Sequence, residues 1–405
     1  MNPLPVIMAA VVRHRVTFVI FVILVAVATA TGVGITAQET ALRNGSARAA
    51  DKFDLVIAAP GSQTDVVLAA IYLRPGTVPL IDPKIVAQAF ADPHAAIAAP
   101  LGFGDSLHGS PIVGTVAPFV DHLSGGLQEG RLFATETEAV AGAATPVAIG
   151  QRFRPEHGLH EDDDDDAAEH HEHETDVTVV GRMKPTGTPW DNSIIVPIEL
   201  VWHVHGLPAG HAENETRIGP PFVASRVSGV PAIIVKPDTL VAAYGLRNTY
   251  RTPLSMAFFP AEPLLRLYEV LGDIRELMSW MALATEGLVV LAMLAGVMAI
   301  LALHRRQFGV LRALGAPRLY IFLCVWGEIA FIAITGAVVG LALGTGAVLL
   351  VSYMITRATG IALPAEIGTN ELLLVGGMIL FGVGVSTIPA FVIHRQSVIQ
   401  ALNAN

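Results

Sequence analysis

A run of histidines among acidic side chains has the clearest capacity for chemistry in this sequence. Five histidines lie in an acidic segment spanning residues 156–176, namely His157, His160, His170, His171 and His173. Neutral imidazole binds zinc, copper and nickel, and carboxylates add charge and weaker ligation. His203 and His205 follow, and on a β-strand these two side chains would share one face. The composition therefore predicts a Zn²⁺-binding segment with these seven histidines as candidate ligands.

The same segment has a second interpretation. A block of like charges is typical of a solvated surface insertion without a site. Repulsion between carboxylates accounts for such an insertion, but it does not account for five histidines. The fixed ligand spacing of a structural zinc site is absent, so we expect a loose metal collector and not a tetrahedral cage.

Several chemistries are excluded by absent motifs. The sequence has no Gly-x-x-x-x-Gly-Lys-Ser/Thr, so ATP is expected to bind a separate subunit. It also lacks Gly-x-Ser-x-Gly and His-Glu-x-x-His, and the spacing of His171 and His173 is too short for the latter. We therefore do not expect an enzyme. The single cysteine, Cys324, precludes a disulfide within the chain.

The composition indicates a membrane protein. Of its 405 residues, 52% are hydrophobic and only 15% charged, against about 25% charged in soluble domains. Apolar runs of bilayer-spanning length predict four transmembrane helices, at residues 16–37, 278–303, 319–352 and 372–393. Glu286 and Glu328 lie inside the second and third runs. An ionised carboxylate at a helix centre costs at least about 2.5 kcal/mol, so we expect Glu328 to form an interhelical latch or line a substrate path, and Glu286 to lie at the wet interface.

Basic residues predict the orientation of the spans. They cluster before the first span, between the second and third, and after the fourth. By the positive-inside rule, residues 1–15, 304–318 and 394–405 are cytoplasmic, and residues 38–277 and 353–371 are outside. The first apolar run is too long for a cleaved signal peptide, so we expect an uncleaved anchor. These features predict a multi-pass protein of the bacterial inner membrane, without nucleic acid as a partner.

The outer segment has the pattern of a mixed α/β domain. Short apolar runs predict strands at Phe53–Ala59, Ile112–Val116, Val177–Val180, Ile194–Ile198 and Ile233–Val235. Helical patterns are found at Thr64–Tyr72, Pro83–Phe90 and Leu240–Asn248. A further helical stretch, Pro263–Leu277, is expected to continue unbroken into the second span.

Two motifs of the membrane region resemble the FtsX-like permease family. The loop after the second span contains Leu311-Arg-Ala-Leu-Gly-Ala316 behind a basic stretch. The resemblance implies that this loop docks on the ATPase subunit, through Phe308, Leu311, Arg312, Leu314 and Gly315. The third span has an acid near its start, Glu328, and then three glycines spaced four apart, Gly336, Gly340 and Gly344. This spacing predicts a face for close helix packing, and Gly346 would extend it.

The outer segment resembles the MacB-like periplasmic core. The resemblance rests on Asp54–Ser62, Gly104–Thr115 and the stretch Val180–Asp191. The Val180–Asp191 stretch resembles one branch of these permeases in particular. Permeases of that branch are associated with His-rich periplasmic proteins under zinc-starvation control, which implies zinc handling.

These features predict the permease subunit of an ABC transporter that moves a periplasmic client mechanically. Its expected partners are a separate ABC-type ATPase, a second permease copy, membrane lipid, and a periplasmic metal-binding protein or lipoprotein. The alternatives are a signalling regulator of a periplasmic hydrolase, a zinc sensor or metallochaperone, and an exporter of lipoproteins, peptides or drugs.

Overall fold

The computed structural model describes residues 2–74, 76–157, 175–212, 215–303, 310–312, 314–364 and 367–394. Its residues form two compact units. The helical unit comprises Met1–Arg43, Val270–Met354 and Leu363–Asn405. The α/β unit comprises Asn44–Glu269 and Ile355–Ala362. The mixed α/β character predicted for the outer segment is confirmed.

The helices of the described chain are numbered in sequence order. They are α1 (Leu4–Arg13), α2 (Arg15–Ala50), α3 (Gln63–Ala70), α4 (Pro83–Ala91), α5 (Ala117–Ser124), α6 (Ile198–Val204), α7 (Leu240–Thr249), α8 (Ala261–Leu303), α9 (Arg318–Thr359), α10 (Thr369–Val385) and α11 (Thr387–His394). Four stretches of the described residues are long and apolar enough to cross a membrane, at Arg15–Ala50, Glu276–Gly296, Arg318–Thr359 and Thr369–Phe391. The prediction of four candidate spans is therefore confirmed.

The helices differ from the predicted spans in length and continuity. Helix α2 continues to Ala50, beyond the predicted end at residue 37. The predicted span 372–393 is divided between α10 and α11. At this break the Ser386 hydroxyl donates to the Val383 carbonyl, and the Thr387 hydroxyl donates to the Gly384 carbonyl. Such side-chain bonds compete with the helix ladder, which accounts for the interruption.

The helix Pro263–Leu277 does run unbroken into the second span, as predicted. It forms part of α8, a single helix of 43 residues. Helices α2, α8 and α9 each have residues in both units.

One sheet organises the α/β unit. Its strands are β1 (Leu55–Ala58), β2 (Ala95–Leu107), β3 (Ser110–Thr115), β4 (Leu127–Gly130), β5 (Glu138–Ala141), β6 (Arg152–Phe153), β7 (Glu156–His157), β8 (Val177–Met183), β9 (Ile194–Pro197), β10 (Ala232–Pro237) and β11 (Met256–Phe258). Their order is β11-β1-β10-β2-β3-β9-β5-β8-β4, with β6 on β8 and β7 on β2. The pairs β3–β9 and β5–β8 are parallel, and the remaining pairs are antiparallel.

Strand β2 joins the two halves of this sheet. Its first part, Ala95–Leu101, pairs with β10, and its second part, from Gly102, pairs with β3. The helices on the first half begin at conventional N-caps. Ser62 caps α3, Asp82 caps α4 and Thr239 caps α7, each side-chain oxygen accepting a backbone N–H. These caps account for the agreement between the predicted and observed starts of these helices.

Candidate functional site

The segment predicted to dock on an ATPase ends in a Schellman motif. Gly315 has a positive φ of 98°. Its N–H donates to the Arg312 carbonyl at 3.1 Å, and the Ala316 N–H donates to the Leu311 carbonyl at 3.0 Å. Glycine is favoured at this position because it enters the left-handed region without steric cost. Pro317 then prevents the helix from continuing, so the Leu-Gly-Ala-Pro sequence is a helix stop.

This stop leaves apolar side chains exposed. Leu314 is 81% exposed, and Val310 and Leu311 are also exposed. Phe308 lies outside the described residues. An apolar side chain held on a sharp helix end is a suitable anchor for a partner groove.

The three glycines of the predicted packing face lie on α9 against α2. A Cβ atom added at Gly336 would be 2.6 Å from Val25 Cβ. At Gly340 it would be 2.5 Å from Thr29 Cβ and 2.6 Å from the Ala26 carbonyl oxygen. At Gly344 it would be 3.0 Å from Ala30 O. The absence of side chains is therefore what allows the two backbones to approach.

Other residues of the predicted spans behave differently. Gly346 does not extend this face, since nothing lies within 4 Å of a Cβ added there. The physical reason is its position on the helix, two residues from Gly344 and hence on another side. Glu328 is half-buried on α9. The side chain of Glu286 lies outside the described ones.

The two histidines placed on a strand by the sequence analysis are on a helix instead. His203 belongs to α6, and His205 caps its C-terminus. His203 Nδ1 lies 2.8 Å from Glu136 Oε1, whereas His205 Nδ1 bonds the Val201 carbonyl at 2.7 Å. The shared strand face considered for these two histidines is therefore not formed, because the apolar residues around Trp202 form a short buried helix. Among the described residues, no group of three His, Cys, Asp or Glu side chains could hold a metal.

The remaining histidines of the metal prediction are not described. His160, His170, His171 and His173 lie outside the described residues, as does the side chain of His157. The two ends of the segment are described. Strand β7 ends at His157 and pairs with β2, and Arg154 Nε donates to Asp176 Oδ1 at 2.8 Å. The described residues on either side of positions 158–174 therefore belong to strands of the sheet or adjoin them.

A buried acid–imidazole pair was not found by sequence reasoning. Glu199 and His211 have side chains only 3% exposed, with Oε1 and Nε2 3.2 Å apart. The same carboxylate oxygen accepts the Gly219 N–H at 2.6 Å. Burial raises the pKa of the Glu199 carboxyl, and these hydrogen bonds oppose the rise. Through these bonds Glu199 holds His211 and Gly219 to α6, which is a structural role.

Two helices that belong to candidate spans are tied to the α/β unit. Ser46 of α2 shares a hydrogen bond of 2.6 Å with the Tyr268 hydroxyl of α8. The Tyr72 hydroxyl donates to the Ser46 carbonyl at 2.9 Å. The pKa of Tyr72 is raised, mainly because the hydroxyl is buried and to a smaller extent because Tyr268 lies nearby. Arg247 of α7 forms a 2.9 Å ion pair with Glu262 in the first turn of α8.

Comparison with known proteins finds a family match for the C-terminal part of the chain. Residues 280–398 match the family model described as FtsX-like permease C-terminal. This part of the chain is therefore similar to the C-terminal domain of FtsX-like permeases. Among solved structures, the chain is similar to the extracellular domain of the noncanonic ABC-type transporter YknZ from Gram-positive bacteria. The identity is 11% and the TM-score 0.28, over 50% of this chain and 98% of that one. No curated protein matches.

Gly340→Leu should disrupt the contact between α9 and α2. The new side chain has no space beside Thr29 and Ala26, and overpacking of this kind costs about 1–3 kcal/mol. We expect a lower thermal midpoint for the protein purified in detergent. Gly346→Leu is the matched control on the same helix and should behave like the parent. Equal midpoints for the two variants would contradict the packing role.

Leu314→Asp should release the ATPase subunit. It places a charge where an exposed apolar anchor is proposed. Loss of an anchor of this type commonly costs about 2 kcal/mol or more of binding free energy. The measurement is the ATPase:permease ratio after purification through a tag on this chain. Leu314→Met retains the apolar contact and should retain the ATPase. Unchanged stoichiometry with Leu314→Asp would place the docking site elsewhere, such as the tail 394–405.

Proposed function

We propose that this chain is the permease subunit of an ABC transporter in the bacterial inner membrane. In this proposal a separate ATPase drives movement of the α/β unit on the periplasmic side, and a second copy of the chain completes the transporter. The proposal is supported by the FtsX-like domain at residues 280–398, which contains the exposed Leu314. The resemblance to the MacB-like periplasmic core supports the assignment of the α/β unit.

The continuity of α8 is the observation that carries a mechanical function. Its 43 residues correspond to about 64 Å at 1.5 Å per residue, roughly twice the 30 Å hydrocarbon core of a bilayer. Ion pairing of Glu262 with Arg247 fixes its first turn to the α/β unit. Its last described residue is Leu303, close in sequence to the proposed docking segment. A displacement at the cytoplasmic end of α8 would therefore be transmitted to the α/β unit through one uninterrupted helix.

Arg266→Pro should interrupt this transmission. Arg266 lies on an exposed face of α8, and proline there removes one helix hydrogen bond and costs about 3 kcal/mol. We expect the ATPase to remain bound and active. We expect the ATP-dependent change in a fluorophore attached to Val241→Cys, an exposed position of α7, to be lost.

Arg266→Ala is the control, because it removes the same charged side chain and preserves the helix. It should respond to ATP like the parent. Tryptophan fluorescence from the buried Trp190 and Trp202 would check that the α/β unit remains folded. A full ATP response in a folded Arg266→Pro variant would contradict transmission through α8.

The client of this transporter is proposed to involve zinc. The support comes from the histidines of the acidic segment and from the branch resemblance. Protons compete with metal for the imidazole nitrogens, whereas the neighbouring carboxylates attract divalent cations. This balance predicts weak, multiple binding of Zn²⁺ at the segment, with micromolar affinity and no structural role.

Deletion of residues 161–174 should remove most Zn²⁺ binding from the complete chain. The Arg154–Asp176 ion pair lies outside the deletion, so the sheet and ATPase binding should be unaffected. The measurement is calorimetric titration with Zn²⁺ in detergent. Cells carrying the deletion should grow more slowly only when zinc is scarce.

Two substitution variants separate imidazole ligation from charge. Changing His160, His170, His171 and His173 to Gln should abolish binding and leave the net charge nearly intact. Changing residues 162–166 to Asn should weaken binding but preserve it. If the deletion variant binds as tightly as the parent, the segment is a solvated insertion and its proposed role in zinc binding is wrong.

A further inference from the structure

The stretch Thr186–Asn192, here called the junction loop, is held rigidly by one buried carboxylate. Asp191 is 8% exposed and accepts backbone N–H bonds from Thr186 at 2.9 Å and from Gly187 at 2.8 Å. The Thr186 hydroxyl donates to the same carboxylate at 2.8 Å. Charge-assisted hydrogen bonds of this number fix the conformation of the loop.

The junction loop contacts the chain immediately after α2. Trp190 is fully buried, and its ring centroid lies 5.9 Å from that of Phe53 and 5.8 Å from that of Phe119. Phe53 follows the end of α2 at Ala50 by three residues. Aromatic contacts at these distances are favourable, so the exit of α2 is packed on the loop.

The junction loop also contacts the residues that follow α9. Gly360 has a φ of 72°, and a Cβ atom there would be 2.7 Å from Asn192 Nδ2 and 3.0 Å from Pro189 Cα. The Ala362 N–H donates to the Gly187 carbonyl at 3.0 Å. Ile361 packs against the main core of the α/β unit. All of these residues belong to that one unit.

We infer that the junction loop fixes the third candidate span to the α/β unit and that this attachment stays closed while the protein works. The inference rests on the proposed function. Helix α9 begins at Arg318, directly after the proposed docking segment, and continues for 42 residues. A displacement at the start of α9 would be transmitted along the helix to the junction loop. The α/β unit is then driven through α9 as well as through α2 and α8.

The attachment is tested first by a disulfide in the full chain. The variant carries Gly187→Cys and Ala362→Cys, with Cys324→Ala to remove the native thiol. A Cβ at Gly187 would lie 3.2 Å from that of Ala362, slightly below the usual disulfide separation of about 3.5–4.5 Å. Because Gly187 has a φ of 70°, which is unfavourable to any side chain, Gly187→Ala is the control for backbone strain. We expect oxidation to link this half-buried pair. The fluorophore is then attached to the remaining thiol at the exposed position Val241→Cys, and we expect its ATP response to be the same before and after reduction of the disulfide. Failure to form the disulfide, or a response lost on oxidation and regained on reduction, would overturn the inference.

A second variant tests transmission. Gly360→Ala places a methyl group against Pro189 and Asn192 in a backbone region unfavourable to alanine. Gly206→Ala is the matched control, because Gly206 has a similar φ of 67° but open space around its Cβ. We expect Gly360→Ala to retain the ATPase and its hydrolysis while the ATP response falls about five-fold, and Gly206→Ala to retain all three.

The outcomes separate this inference from the function on which it rests. Equal ATP responses in Gly360→Ala and Gly206→Ala would overturn the role of the junction loop and leave the permease function intact. Absence of an ATP response in the parent would overturn the proposed function, and the inference with it.

Discussion

The hydrocarbon interior of a bilayer offers no water to backbone N–H and C=O groups, so each must be paired within its own segment. This requirement favours long, uninterrupted helices in the chain. Helices α2, α8 and α9 keep their hydrogen-bond ladders intact for 36, 43 and 42 residues, which is longer than a bilayer requires. One end of each of these helices belongs to the α/β unit, namely residues 44–50 of α2, 261–269 of α8 and 355–359 of α9. The same ladders that allow a helix to cross a membrane therefore also make it stiff beyond the membrane.

The two units are stabilised by different means. In lipid, apolar side chains gain little from contact with one another, and helices associate through close backbone approach. The glycines of α9 supply that approach to α2. In the α/β unit, burial of apolar surface supplies the stabilisation, with Trp190 and Trp202 among the largest fully buried side chains. A polar substitution on the glycine face and a cavity near Trp190 would therefore act through unrelated physical effects.

Much of the fold was accessible from local sequence. Length and hydropathy predicted the candidate spans, and helical patterns predicted three helices to within two residues of the observed bounds of α3, α4 and α7. Strand β2 was missed because its alanines, glycines and proline resemble neither a strand nor a helix. The helical state of His203 depends on burial of its neighbours, and the Glu199–His211 pair joins residues twelve positions apart through tertiary packing. The stretch from Val180 to Asp191 was recognised as a motif. Its contact with Gly360 joins residues more than a hundred positions apart, which local spacing cannot reveal.

The pairing of the strands on either side of residues 158–174 has an evolutionary consequence. The pairing of β7 with β2 and of β6 with β8 sets the strand register before and after this segment. Insertions or deletions between these anchors leave that register unchanged, and doubling the length of a loop adds only about 0.6 kcal/mol of closure entropy. Selection can therefore vary the number of histidines and acids here while the rest of the chain keeps its sequence.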